Sequence, residues 1–79
     1  MNDDEIIQKL QSIFDDLIDE NPPKVIPALS ANDVDEWDSL LNIQIMVAAE
    51  RAFGISIAAA DIERLQNIGE LMQLIKSKL

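Results

Sequence analysis

Between Ser39 and Phe53 the chain is apolar almost without interruption. Leu40, Leu41, Ile43, Ile45, Met46, Val47, Ala48, Ala49, Ala52 and Phe53 are broken only by Asn42, Gln44, Glu50 and Arg51. Gly54 follows where a helix closing in the left-handed conformation takes glycine, so the pattern predicts a helix over 39–53. A helix apolar nearly all round is either buried on most sides or lends one apolar face to a partner. With 79 residues in all, the chain has too little other material to cover it. Both conditions are expected to hold at once.

The remaining segments read as its packing partners. Ile6, Leu10, Ile13, Phe14 and Leu17 recur at the helical period, with Ile7 and Ile18 widening the stripe, which predicts a first helix from Asp3 to about Asp19. Asn2 or Asp3 caps it, and Asp3, Asp4 and Glu5 suit its positive end. Asn21-Pro22-Pro23 ends it, because proline removes a donor and biases the residue before it away from helix. Residues 21–37 then form a loop long enough to imply a job. Val25, Ile26, Leu29 and Val34 are expected to pin it to the helices, and Trp37 to anchor its end.

Beyond Gly54, Ile55 and Ile57 lead into Ala58–Leu65, a short helix of two turns at most, with Ile62 and Leu65 facing inward. Asn67 and Glu70 are spaced as N-cap and N3 of a capping box. They open a last helix bearing Ile68, Leu71, Met72, Leu74, Ile75 and Leu79, with Lys76 and Lys78 at its negative end. The expected fold is all-α: one domain over 1–79, a small four-helix bundle of three main helices and one short one. Aromatic residues are only 4% of the chain against 48% hydrophobic, so the core is aliphatic. A domain this small buries a modest share of its surface and depends on helix packing.

Absent residue types narrow the function. The chain has no cysteine, hence no disulfide, no thiolate metal site and no protein thiol for thioester chemistry. It has no histidine, the commonest general base. Enzymatic activity is therefore not expected. The acidic start, Met1-Asn2-Asp3-Asp4-Glu5, lacks the basic and apolar regions of a secretory signal, and no apolar run approaches membrane-spanning length. A soluble, cytoplasmic protein is the expectation.

The net charge of −9 is unevenly placed. Residues 1–38 hold eleven acids and two bases, while residues 39–79 hold four of each. All the excess negative charge thus lies ahead of Ser39. Such a surface repels nucleic acid and anionic membranes and attracts basic protein patches. The cluster from Asp33 to Asp38, directly beside Ser39, reads as a steering surface for a partner.

Asp38 is suited to cap the central helix, its carboxylate accepting a free N–H of the first turn. Ser39 then occupies the first helical position, beside backbone donors that favour an anion such as a phosphate ester. An Asp-Ser-Leu triplet alone supports no more than a capped helix start. The wider pattern of Trp37-Asp38-Ser39-Leu40, Glu50, Phe53, Ile55, Ile57, the apolar pair within Ile62–Leu65 and the run Ile68–Ile75 resembles the acyl carrier proteins, over roughly residues 3–78.

In that family the serine of Asp-Ser-Leu carries a 4′-phosphopantetheine arm whose thiol holds an acyl group as a thioester. The resemblance therefore implies Ser39 as the attachment residue. It implies a phosphopantetheinyl transferase, acyl- or aminoacyl-loading enzymes and acyltransferases as partners, and no catalysis by the chain itself. Docking is expected to involve Asp38, Leu40, Val47 and Ile57. No nucleic acid, metal or membrane insertion is expected, and the protein is read as a monomer.

Two departures from the family pattern carry information. Many acyl carriers have glycine two residues before Asp-Ser-Leu, where this chain has Glu36-Trp37. Trp-Asp-Ser-Leu is similar to a subset of stand-alone carriers, D-alanyl carriers among them. The central helix of fatty-acid carriers is typically acidic on its exposed face, whereas here Asn42, Gln44, Val47, Ala48 and Arg51 take the expected exposed positions. This favours partners that read Leu40 and Val47 as apolar anchors. Fatty acyl, polyketide or related specialised cargo leads, with an aminoacyl or peptidyl cargo as alternative and an unmodified helical interaction module as a third reading. Alanines at 48, 49, 52 and 58–60 leave room either for close packing or for sheltering an acyl chain.

Overall fold

In the computed structural model, which describes residues 1–79, the apolar periodicities become four helices: α1 (Asp3–Leu17), α2 (Ser39–Phe53), α3 (Ala59–Arg64) and α4 (Ile68–Lys78). One 3-10 turn, Ala31–Asp33, interrupts the loop between α1 and α2. The core draws on Ile6, Leu10, Ile13 and Phe14 from α1, Leu41, Ile45, Met46, Ala49 and Phe53 from α2, and Ile68, Leu71, Met72 and Ile75 from α4. Each fully buried aliphatic side chain of this kind stabilises the fold by about 1.5–3 kcal/mol relative to exposure. Helix α3 contributes no fully buried residue, and Ile62 and Leu65 only lean against the core.

Asn2 caps α1 through a reciprocal pair. Its side-chain oxygen accepts the Glu5 N–H at 2.9 Å, and Glu5 Oε1 accepts the Asn2 N–H at 3.4 Å. The helix ends at Leu17, two residues before the expected Asp19. Ile18 is already extended (φ −116°, ψ 101°) and turns its side chain into the core. The last turn carries no basic residue. Asp15 and Asp16 sit instead near the negative helix end, where carboxylates disfavour further turns. Asn21 then adopts φ 50°, the left-handed conformation asparagine tolerates, just before the proline pair.

The long loop is a packed connector. Val25, Leu29 and Val34 are buried, whereas Ile26, expected to join them, is exposed. Two sets of hydrogen bonds explain how the loop is held. The Gln11 amide on α1 donates to the Pro23 carbonyl at 2.9 Å and accepts the Val25 N–H at 2.8 Å. At the other side, Ile68 N–H donates to the Leu29 carbonyl at 2.9 Å and Gly69 N–H to the Pro27 carbonyl at 2.8 Å. Free donors of the α4 N-terminus are thus satisfied by loop carbonyls. A Cβ on Gly69 would lie 3.2 Å from the Pro27 oxygen, so glycine permits this approach.

Gly54 closes α2 as expected, left-handed at φ 66°, ψ 39°. Glu50, three turns into α2, then secures the next segment by accepting the Ile57 N–H on its carboxylate at 2.7 Å. At α4, Asn67 accepts the Glu70 N–H at 2.9 Å, but Glu70 returns to the Gln66 N–H at 3.0 Å, not to that of Asn67. The predicted capping box is therefore shifted by one residue on its return arm. Leu79 is exposed at the end of α4 and takes no part in the core. Ala49 is buried, Ala48 and Ala52 pack against the core, and Ala58–Ala60 are exposed. Ala48, Ala49 and Ala52 thus serve close helix packing, and Ala58–Ala60 do not. No helix is long and apolar enough to cross a membrane.

Candidate functional site

The site begins with how Asp38 stops and starts the backbone. Asp38 is extended (φ −99°, ψ −173°), and its carboxylate accepts the Leu41 N–H at 2.8 Å. Its carbonyl accepts the Asn42 N–H at 2.9 Å, the first bond of the helical ladder. Ser39 is thereby fixed as the first residue of α2, with its side chain exposed. The N–H groups of Ser39 and Leu40 have no acceptor within a helix that starts here.

Trp37 sets the approach to this point. Its ring meets Phe14 of α1 edge to face, with centroids 5.2 Å apart and planes at 77°. The indole N–H donates to Asn42 Oδ1 at 3.1 Å. One half-buried side chain thus ties the loop to α1 and to the first turn of α2, two residues before Ser39, as its anchoring role predicted.

The chain's hydroxyls are five serines, with no threonine or tyrosine. Ser77 gives its hydroxyl to the Leu74 carbonyl at 2.7 Å, and Ser30 gives its own to Asp33 at 3.4 Å. Ser12 lies within α1 and Ser56 in the loop after α2. Ser39 alone combines an exposed hydroxyl with the donor end of a long helix. Counting serines against helix starts would have singled it out without any motif.

Two surface grooves flank this residue. One, of about 320 Å³, includes Ser39 itself and runs past Trp37 and Asn42 to Leu65, Asn67 and Leu71. The other, of about 380 Å³, lies toward the end of α1, with Asp19, Glu20, Glu36 and Asp38 among its lining residues beside Leu40 and Gln44. Asp35, Glu36 and Asp38 are all exposed, so the acidic surface expected around Ser39 is present.

Below Ser39 the outer face of α2 is apolar. Leu40 is 65% exposed, Ile43 54% and Val47 41%, with Gln44 and Arg51 beside them. The spacings of three and four residues put them on one face. Of the expected docking residues, Asp38, Leu40 and Val47 are accessible on this side. Ile57 is not. It is 9% exposed and packed in the core, with its N–H held by Glu50, so it offers little surface to a partner. Asn42 and Ala48 are half-buried instead of exposed. Ile43, between Leu40 and Val47 on the helical period, is exposed on the same face.

A phosphate ester fits these surroundings. The Ser39 hydroxyl is exposed at the rim of an open groove, two backbone donors of the first turn are free, and the Asp38 carboxylate is engaged with Leu41. A family model for the phosphopantetheine attachment site matches residues 8–75. The acyl carrier protein of Thermosynechococcus vestitus is 30% identical over 79 residues, spanning 100% of this chain and 98% of that protein. That of Lactobacillus johnsonii is 31% identical over 78 residues, spanning 98% and 96%. The solution structure of holo acyl carrier protein from Geobacter metallireducens shares the fold, with a TM-score of 0.81 at 32% identity over 91% of this chain and 83% of that one. With the helix start, the exposed serine and these likenesses together, the chain belongs to the acyl carrier proteins of the phosphopantetheine-attachment family, and its prosthetic group is 4′-phosphopantetheine.

Proposed function

We propose that Ser39 is the attachment residue, and that the protein carries acyl intermediates of a specialised pathway related to fatty-acid or polyketide synthesis. The observation that supports this most directly is the exposed Ser39 hydroxyl at the first position of α2, capped by Asp38. When bound, the arm supplies the thiol that this cysteine-free chain lacks and holds the acyl group as a thioester.

The chain's own residues do three things. Asp38 and Trp37 hold the backbone around Ser39 in place for a phosphopantetheinyl transferase, which supplies the base and the magnesium ion. The acidic residues around Ser39 steer basic partner surfaces toward it. Leu40 and Val47, with Ile43 between them, form the apolar ridge on which transferases and acyl-loading enzymes dock. Tethering raises the effective concentration of cargo, so this docking works while weak and quickly reversed.

The uncharged ridge, with Arg51 at its lower end, supports a pathway other than housekeeping fatty-acid synthesis. An aminoacyl cargo is the second reading, supported by Trp37 directly before Asp38-Ser39-Leu40. Loading with coenzyme A, magnesium and a promiscuous phosphopantetheinyl transferase tests the proposal, with Ser39→Ala alongside. Wild type gains one phosphopantetheine and the variant, still folded by circular dichroism, gains none. Equal partner function in the two proteins would instead establish an unmodified interaction module.

A further inference from the structure

The chain has a net charge of −9, yet the exposed strip of α2 contains no acid. That strip consists of Ser39, Leu40, Ile43, Gln44, Val47 and Arg51, and Arg51 is its one charge. The single acid of the helix, Glu50, is half-buried and turned to the Ile57 N–H. Arg51 has no partner within the chain. Three and four residues away stand Val47, Ala48, Gly54 and Ile55, so no local ion pair is open to it. The two ion pairs of the molecule join Lys76 to Asp3 and Lys78 to Asp61, and Lys9 is spent on the Ala52 carbonyl. The Arg51 guanidinium is therefore free at the foot of the apolar ridge, four residues below Val47 on the same face. At the other end, just before Ser39, Asp35, Glu36 and Asp38 are exposed. The strip is thus polarised. It is negative beside the serine, apolar along Leu40, Ile43 and Val47, and positive about 18 Å further on at the helical rise.

We propose that Arg51 is a specificity-determining residue of docking, selecting an enzyme whose apolar recess ends in a carboxylate and rejecting one whose face is basic throughout. The inference rests on the ridge being the docking face. A guanidinium meets a carboxylate through two parallel N–H bonds, so this contact supplies orientation as well as attraction. A basic group at the same point is repelled, and such like-charge juxtaposition is how an interface refuses a wrong partner. An enzyme docked end for end would bring like charges together at both ends of the strip. The polarity therefore fixes direction along α2 and brings the partner's catalytic centre to the serine end.

The probe is a ketosynthase of fatty-acid synthesis, because the acidic central helix of the carriers it serves calls for a basic docking face. Wild type, Arg51→Gln and Arg51→Glu are each loaded with the same acyl-phosphopantetheine, complete by intact mass, and compared as acyl donors to it. The expected kcat/KM rises from wild type through Arg51→Gln to Arg51→Glu, by roughly tenfold in all at low salt, and the gain shrinks as salt is added. A ketosynthase in which the basic residue facing the foot of the central helix is replaced by glutamate should reverse that order. Equal rates for the three carriers, or the same order with both enzymes, would overturn the inference. Leu40→Ser, run alongside, removes an apolar anchor without changing charge and should lower transfer to both enzymes. That loss combined with indifference at Arg51 overturns this inference alone. No loss from Leu40→Ser is the failure of the ridge as docking face, and the role of Arg51 falls with it. Sedimentation of wild type as a dimer, with Arg51→Glu monomeric, would put a second copy on the strip and also overturn the assignment.

Discussion

Helices α1 and α2 are both 15 residues long and pack into the same core, yet they treat water oppositely. In α1 the apolar stripe turns inward and the outer face is polar, largely acidic, with Ile7 and Leu17 half-covered. In α2 the buried side is matched by an outer ridge of Leu40, Ile43 and Val47 left in solvent. Folding alone explains the first arrangement. The second carries apolar exposure that folding does not require, and it lies directly below the capped serine. Stability is shared between the two helices, while the proposed docking surface is confined to one.

The strongest way to break that comparison is to cut a ring from each helix. Phe14→Ala and Phe53→Ala should each cost about 3–5 kcal/mol in urea unfolding, a large part of what a small domain has. A loss below about 1 kcal/mol at either position would show that its ring is not structural. Phe14→Ala should in addition loosen Trp37, which rests on that ring.

Removing the caps sharpens the contrast at a smaller scale. Asn2→Ala and Asp38→Ala should each cost about 1 kcal/mol. Only Asp38→Ala should also slow loading by the transferase, because only that cap positions Ser39. Equal loading rates for the two variants would separate the cap from function.

The smallest stability effects separate the faces most cleanly. Val47→Asp on α2 and Gln8→Asp on α1 both alter exposed positions and should change stability by no more than about 0.5 kcal/mol. Val47→Asp should abolish loading or acyl transfer, and Gln8→Asp should leave both unchanged. Wild-type rates for Val47→Asp would mean that the ridge is not the docking face.

Much of this was legible in the sequence because it depends on near neighbours. The helical period, Asp38 as cap, Gly54 as closing residue and the bounds of α2 are all set within a few residues. What escaped is set by partners far along the chain. Gln11 reaches across to Pro23 and Val25, and Lys9 donates to the Ala52 carbonyl in the last turn of α2 at 3.1 Å, so neither role shows in any local pattern. Ile57, expected among the docking residues, is buried with its N–H held by the Glu50 carboxylate, which periodicity does not show. The groove beside Ser39 was likewise invisible, since Asn42 and Asn67 meet it only through the packing of α4 against the loop.

The measurement that bears most directly on the central claim is fragment mass spectrometry of the loaded protein, locating the added group among Ser12, Ser30, Ser39, Ser56 and Ser77. The phosphopantetheine should fall on the peptide containing Ser39 and on no other. Its appearance on any other serine, or on none, would contradict the assignment and return Ser39 to an ordinary residue at a helix start.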